Sequence, residues 1–335
     1  MIVSVASGKG GTGKTTVAVN LALTLAVEGI TPVHFLDCDV EEPNAHLFLR
    51  PVLETTEPVE LPVPVVNEAK CSGCGTCAQV CAFHAILSLG GRAVVFPELC
   101  HGCGGCMQFC PEGAVSEAPK EIGVVETGWV GVPAAATGAI EATGATEATA
   151  ATDATETGTI RFVRGRVRIG NVLVPPVVKA VRSKAGSAAG VADGAIIIDS
   201  PPGTSCPVVA SVKGSDYCIL VTEPTPFGLH DLTLAVDMVR ELGVLFGVVV
   251  NRAGLGDDKV AAYCRRENIP VLLEIPFDRR YASSYARGGQ LALDFTELRD
   301  SLSGVWRKII ASVGTSERGG GGRRPSAGNG EGTER

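Results

Sequence analysis

Gly8-Lys9-Gly10-Gly11-Thr12-Gly13-Lys14-Thr15-Thr16 is the stretch that decides the fold. It follows a short β-branched run, residues 2–6, that reads as a strand. It precedes residues 14–28, where Val17, Leu21, Ala22 and Leu25 recur at helical spacing. Strand, glycine-rich turn and helix in that order match G-x-x-x-x-G-K-[ST], a phosphate loop. Gly8, Gly10, Gly11 and Gly13 let backbone N–H groups turn inward around phosphate oxygens, with Thr12 among them. The helix N-terminus adds partial positive charge. Lys14 is expected on the β- and γ-phosphates, the Thr15 hydroxyl on Mg²⁺, and Thr16 beside them. Gly8, Gly10 and Gly13 also spell a dinucleotide fingerprint, with Asp37 where a ribose-binding acid would stand. A dinucleotide site has no use for Lys14 and Thr15, so the triphosphate reading is preferred.

The chain has 335 residues, room for about two domains. Its net charge of −7 argues against a general nucleic-acid binder, which needs a basic face. No apolar run approaches the ~18 residues of a membrane span. The opening residues carry no basic n-region, so no secretory signal is expected. Twelve cysteines in a cytoplasmic chain should not be disulfides. The acidity is local: residues 121–160 hold six acidic residues and no Lys or Arg.

Outward from the phosphate loop, residues 33–36 form a second strand closed by Asp37, Cys38 and Asp39. Residues 51–64, rich in Pro and Glu, read as a connector. In 133–158, 20 of 26 residues are Ala, Thr or Gly, which reads as a disordered linker. The α/β pattern resumes at Ile160. Strands are expected at 195–199, 217–222, 246–251 and 271–275, and helices near 229–242, 257–267 and 295–313.

Eight of the twelve cysteines fall in one block. Cys71, Cys74, Cys77 and Cys81 are spaced C-x₂-C-x₂-C-x₃-C. Cys100, Cys103, Cys106 and Cys110 repeat the spacing, followed by Pro111. This is the bacterial two-cluster ferredoxin pattern, in which the fourth Cys of each set crosses to the other cluster. Cys71, Cys74, Cys77 and Cys110 should hold one 4Fe–4S cluster. Cys81, Cys100, Cys103 and Cys106 should hold the other. Zinc favours two spaced C-x-x-C pairs instead. Ala82 replaces the Pro found after the second set. His101 sits inside the second set, where a solvated loop histidine is the simplest reading. Cys38, Cys206, Cys218 and Cys264 are scattered and form no C-x-x-C.

With Lys9, residues 9–16 resemble the deviant Walker A motif of the MinD-type ATPases, which include the nitrogenase iron protein and the Mrp-type iron–sulfur carriers. The resemblance implies an ATP-driven homodimer in which Lys9 reaches the partner's nucleotide. It also implies roles for residues at three strand ends. Asp37 supports Mg²⁺ and Asp39 orients the attacking water, as a first switch. Asp199, in Asp199-Ser200-Pro201-Pro202-Gly203, joins the Mg²⁺ shell as a second switch. Asn251 contacts adenine. Lys9, Lys14 and Asp39 would carry catalysis.

The site's parts flank the cysteine block, so the ferredoxin must be inserted into the ATPase. The expected fold is an α/β P-loop NTPase with a mostly parallel sheet and an inserted α+β bacterial-type ferredoxin domain. Its bounds are 1–62 and 160–313 for the ATPase, 63–118 for the ferredoxin, 119–159 for an acidic linker and 314–335 for a disordered tail. The expected function is an ATPase that couples ATP turnover to electron transfer through two 4Fe–4S clusters, with an unidentified redox or client protein as partner. The alternative is an ATP-dependent cluster assembly or carrier factor, which the missing C-x-x-C weakens. A MinD-like positioning ATPase ranks low because the Gly-rich tail lacks an apolar face. An amidoligase would need a glutaminase unit, for which no segment remains.

Overall fold

The structure, a computed structural model, describes residues 1–30, 32–133, 156–186 and 194–319. In chain order, β1 (Ile2–Ala6), α1 (Lys14–Val27) and β2 (Val33–Asp37) lead through the short α2 (His46–Leu49) to β3 (Val52–Val66). The cysteine block follows, with α3 (Thr76–Val80), the hairpin of β4 (Ile86–Leu89) and β5 (Arg92–Val95), and α4 (Gly105–Gln108). The chain returns through β6 (Val115–Pro133), β7 (Glu156–Val167), α5 (Val174–Gly186) and β8 (Ala195–Asp199). It closes with α6 (Cys206–Val212), β9 (Tyr217–Thr222), α7 (Pro226–Glu241), β10 (Leu245–Ala253), α8 (Lys259–Arg266) and β11 (Val271–Pro276). Three last helices are α9 (Arg279–Ala286), α10 (Leu291–Asp294) and α11 (Thr296–Gly319).

Nine strands make one sheet in the order β11-β10-β9-β1-β8-β2-β7-β6-β3. The seven from β11 to β7 are parallel; β6 and β3 are antiparallel additions at one edge. The central parallel strands β1, β2, β8 and β9 are buried on both faces, as their near-continuous apolar runs require. Val3, Val5, Phe35 and Phe162 pack with α1 and α11 residues on one face. On the other, Leu220 and Val248 pack against α7, and Leu36 and Val163 against α5.

Two linker expectations are corrected. Residues 51–64 are not a connector: β3 is a fifteen-residue strand. Its Pro58, Pro62 and Pro64 suit an edge strand, where an outward N–H has no ladder partner to lose, and its Glu residues deter stray pairing. The acidic linker is shorter than 119–159, because residues 119–133 belong to β6 and 156–159 to β7. Val, Ile and Trp in that stretch favour strand despite the missing basic residues. The rest of the linker, 134–155, lies outside the described residues. The tail expectation also shifts, since α11 extends to Gly319; residues 320–335 lie outside the described set.

Register places the cysteine block. β7 ends at Val167, paired with Gly123, which in turn faces Val59. β3 and β6 continue alone to the Val66–Val115 pair. Seven residues of unaccompanied ribbon reach about 23 Å past the sheet. β3 runs parallel to β1, so this stalk leaves from the same sheet edge as the phosphate loop. Residues 67–114 hang from its end, closed by the Asn67 N–H donating to the Ala114 carbonyl at 2.8 Å.

Candidate functional site

The phosphate loop is held by close packing that only glycine allows at two points. Gly13 has φ +97°, and a Cβ there would lie 2.3 Å from Asn251 Nδ2. A Cβ on Gly8 would lie 2.1 Å from the Asp231 carbonyl oxygen of α7. Lys14 and Thr15 begin α1, and both are buried. One large open cavity has Gly10, Gly11, Gly13, Lys14, Thr15, Thr16, Asp39 and Asn251 in its lining. The sequence therefore located eight of its twenty-five lining residues. Gly8, Thr12, Asp37 and Asp199 lie outside that lining. Lys9 is half-exposed and also outside it.

Asp37 and Asp199 end adjacent strands and face each other in register. Thr15 Oγ1 donates to Asp199 Oδ2 at 2.6 Å. Asp37 accepts from the N–H groups of Asp39 and Ala45, each at 3.2 Å. Burial, then the Asp199 charge, push the Asp37 carboxyl well above the ordinary range. Burial pushes Asp199 up to about 7, against the pull of Lys14 and the Thr15 hydroxyl. Burial pushes Asp39 up to about 6, again opposed by Lys14. Lys14 bears on two of these carboxyls, Asp39 and Asp199, and Asp199 with the Thr15 hydroxyl offers hard oxygen donors of the kind a divalent cation takes. Buried polar atoms without partners point the same way: Thr12 Oγ1, Asn44 Oδ1, Asp199 Oδ1 and Ser200 Oγ.

Asn251 lines the cavity, but its amide is committed locally. Nδ2 donates to the Thr12 carbonyl at 2.8 Å and Oδ1 accepts from the Arg252 N–H at 2.9 Å. The side chain braces the phosphate loop from β10. Sequence reasoning missed Glu42 and Asn44 beyond the first switch, and Phe277, Tyr281 and Tyr285 after β11. The signal for the last group was available: Pro276 ends a strand, where open α/β sheets bind ligands.

The segment that follows Asp37 leads through α2 into β3, whose far end is the stalk. Ala45, held by Asp37, leads into α2. The Phe48 ring packs on Tyr285 with centroids 4.7 Å apart, and its carbonyl accepts from Gln290 Nε2 at 2.8 Å. Arg50 then turns in a left-handed conformation, φ 48°, two residues before β3 begins. Behind it, buried Glu126 of β6 binds Arg164 and Arg166 of β7 at 2.7 and 3.0 Å. Burial alone would raise Glu126; the two guanidinium hydrogen bonds outweigh it and hold its carboxyl below the ordinary value.

The cysteines gather in the crossed sets. Cys71, Cys74, Cys77 and Cys110 line one cavity of about 370 Å³. Cys81, Cys100, Cys103 and Cys106 line another of about 390 Å³, set against Pro62 and Pro64 of the stalk. Among the described residues no three Cys, His, Asp or Glu side chains converge as for a single metal ion. Each set of four thiols lines its own cavity, and four thiolates are the donor set that a cubane cluster takes. Backbone N–H groups of Ala85 and Ala114 donate to Cys81 and Cys110 Sγ at 3.3 Å, and Gly102 to Cys100 at 3.4 Å. Such bonds favour thiolate ligands. The block's own buried apolar side chains are few and mostly small: Cys77, Ala85, Ile86, Cys100 and Ala114. A core that small does not hold a fold without a staple. Of the other cysteines, Cys38, Cys218 and Cys264 are buried; Cys206 is exposed at the start of α6.

The fold and cradle define a nucleotide-binding P-loop protein, and comparison with known proteins places it in a family. The CobQ/CobB/MinD/ParA nucleotide binding domain matches residues 3–291, and the chain belongs to that family. It has the fold of MinD: the septum site-determining protein MinD with Mg-ADP from Pyrococcus horikoshii aligns over 94% of this chain and 97% of its own, with a TM-score of 0.53 at 16% identity. A full-length similarity, 28% identity over 92% of this chain and 98% of the other, is to uncharacterized protein MJ0579 of Methanocaldococcus jannaschii. A shorter one, 52% identity over 48 residues, is to an iron-sulfur cluster carrier protein of Synechocystis, covering 14% of this chain and 13% of that protein. Among the described residues no helix is long and apolar enough to cross a membrane.

Proposed function

We propose that this chain is an ATP-hydrolysing iron–sulfur protein that couples ATP turnover to electron transfer through two 4Fe–4S clusters. The observation that carries the reading is the pair of four-thiol cavities at the end of a stalk rooted beside the nucleotide cradle. Lys14 and the loop N–H groups would bind the phosphates, and Lys9 would act across an ATP-bound homodimer. Thr15, Asp37 and Asp199 would hold Mg²⁺, and Asp39 would orient the attacking water. Asp37 also grips Ala45, so γ-phosphate contacts at the first switch would bear on α2 and on the stalk that follows it. The clusters would supply one-electron chemistry, and their ligands suit a reducing cytoplasm.

The test is anaerobic purification with iron and sulfide counts and EPR, with and without Mg-ATP. About eight iron per chain, with spectra that change on adding Mg-ATP, supports the proposal. Bound zinc, or spectra indifferent to nucleotide, overturns it.

A second reading is an ATP-dependent cluster carrier, favoured by the short similarity to the carrier protein. Three of the four cysteines outside the block are buried and unsuited to bridge subunits. Mixing the loaded protein with a cluster-free acceptor separates the two: ATP-dependent loss of clusters supports the carrier, and retained clusters support electron transfer.

A further inference from the structure

The cysteine block is an internal repeat, so its halves can be compared position by position. Ser72 in the first half corresponds to His101 in the second, and Glu112 in the second corresponds to Phe83 in the first. The structure sorts these four between the cavities. Ser72 and Glu112 line the cavity of Cys71, Cys74, Cys77 and Cys110. Phe83 and His101 line the other, nearer the ATPase sheet. One mouth is polar. At the other, the two rings stack with centroids 3.7 Å apart and planes within 9°.

The backbone is shaped for this. His84, next to Phe83, has φ +52°, where the second half has Gly113 at +56°. A residue other than glycine in that conformation is strained and persists where the structure imposes it. Phe83 is nevertheless 42% exposed, Val80 of the same cavity lining is exposed, and Leu99 and Met107, next in sequence to the lining cysteines Cys100 and Cys106, are exposed too. Residues 67–114 hold eight of the twenty-two large exposed apolar side chains among the described residues. Their net charge is only −1, three Glu against one Lys and one Arg.

We propose that this aromatic mouth is the docking port for a one-electron carrier protein, which lands by apolar contact. The proposal rests on the clusters proposed above. The patch is five side chains, Val80, Phe83, Leu99, His101 and Met107, at or next in sequence to the lining of one cavity. That is too small for a permanent dimer interface, and it matches the small areas of transient redox encounters, below about 1,200 Å². With so little charge nearby, encounter gains little from long-range steering. The exchange is one electron: the carrier's centre is oxidised by one as the port-side cluster is reduced by one, with no bond or proton moved.

The test uses the full chain with clusters verified by iron count and EPR, so absent clusters would fail the underlying reading first. Stopped-flow reduction is measured with flavodoxin hydroquinone, with a reduced two-cluster ferredoxin, and with dithionite. Phe83→Glu should slow the protein carriers about tenfold, and Met107→Lys, away from the cavity lining, should slow them as much and leave dithionite unchanged. Leu89→Lys, at an exposed apolar residue that lines neither cavity, should change neither. Raising salt from 50 to 500 mM should alter the carrier rates less than twofold. Hydrogen exchange should show residues 80–83 and 99–107 protected when oxidised carrier is added. Wild-type-like carrier rates in both port variants, a steep salt dependence, no protection, or failure of both carriers to reduce a dithionite-reducible protein would overturn the port.

Discussion

Replacing Gly13 by Ala tests the geometry of the phosphate loop from two sides. The new methyl would sit 2.3 Å from Asn251 Nδ2, on a backbone at φ +97°. The left-handed conformation costs an L-residue about 1–2 kcal/mol. Displacing Asn251 loses its hydrogen bond to Thr12, about 1 kcal/mol more. The expected loss is therefore about 2–3 kcal/mol in urea unfolding, with nucleotide binding weakened beyond detection by a fluorescent ATP analogue. Asn251→Ala alone should cost about 1 kcal/mol. The two changes should not add. Trimming Asn251 removes the atom the methyl strikes, so the double variant should cost about 1 kcal/mol less than the sum of the singles. Additivity within about 0.5 kcal/mol would refute the claim that Asn251 is the brace of this loop.

Other outcomes follow from the same structure. Asp199→Asn should abolish Mg²⁺-dependent hydrolysis yet stabilise the metal-free protein at pH 8. The wild-type acid, raised from 3.8 to about 7, weakens the metal-free fold as pH climbs through that window; calorimetry at pH 5 and pH 8 should show the variant's advantage growing between the two. Glu126→Gln should cost roughly 3 kcal/mol, the low end for a buried pair because Arg166 is half-exposed. Glu126 is held below 4.5, so the deficit should be full above that pH and shrink as pH falls below it; urea melts at pH 7 and pH 3.5 measure this. Cys110→Ala should halve the iron content, from about eight to about four, by emptying the site of Cys71, Cys74 and Cys77 while sparing the site that keeps Cys100, Cys103 and Cys106. Chelating the iron should expose residues 67–114 to fast hydrogen exchange, since few of their apolar side chains are buried, while β1, β8 and β9 stay protected.

The residues that announced themselves were those whose chemistry depends on close sequence spacing. The phosphate loop, the crossed cysteine sets and the strand-end acids Asp37 and Asp199 all meet in space because each sits within a few residues of a recognisable element. The stalk was not legible. β3 carries the Pro and Glu of a loop because it is an edge strand, and edges need those residues for reasons that only pairing reveals. β6 was hidden by its charge pattern, although Val124, Val125, Trp129 and Val130 carried a strand's composition. His101 looked like a solvated loop residue because its partner, Phe83, is eighteen residues away and meets it only through the fold of the repeat. Asn44, Phe277 and Tyr285 reach the cradle from segments with no motif of their own. Asn251 was visible, but its bond to Thr12 depends on β10 lying beside the loop's far side.

The central claim is that nucleotide turnover and the thiol-bound clusters communicate through the first switch, α2 and the stalk. The most direct measurement is the steady-state ATPase rate of the full chain prepared oxidised, reduced and cluster-free. The account predicts three different rates, with the cluster-free protein departing most. Identical rates in all three states would contradict it.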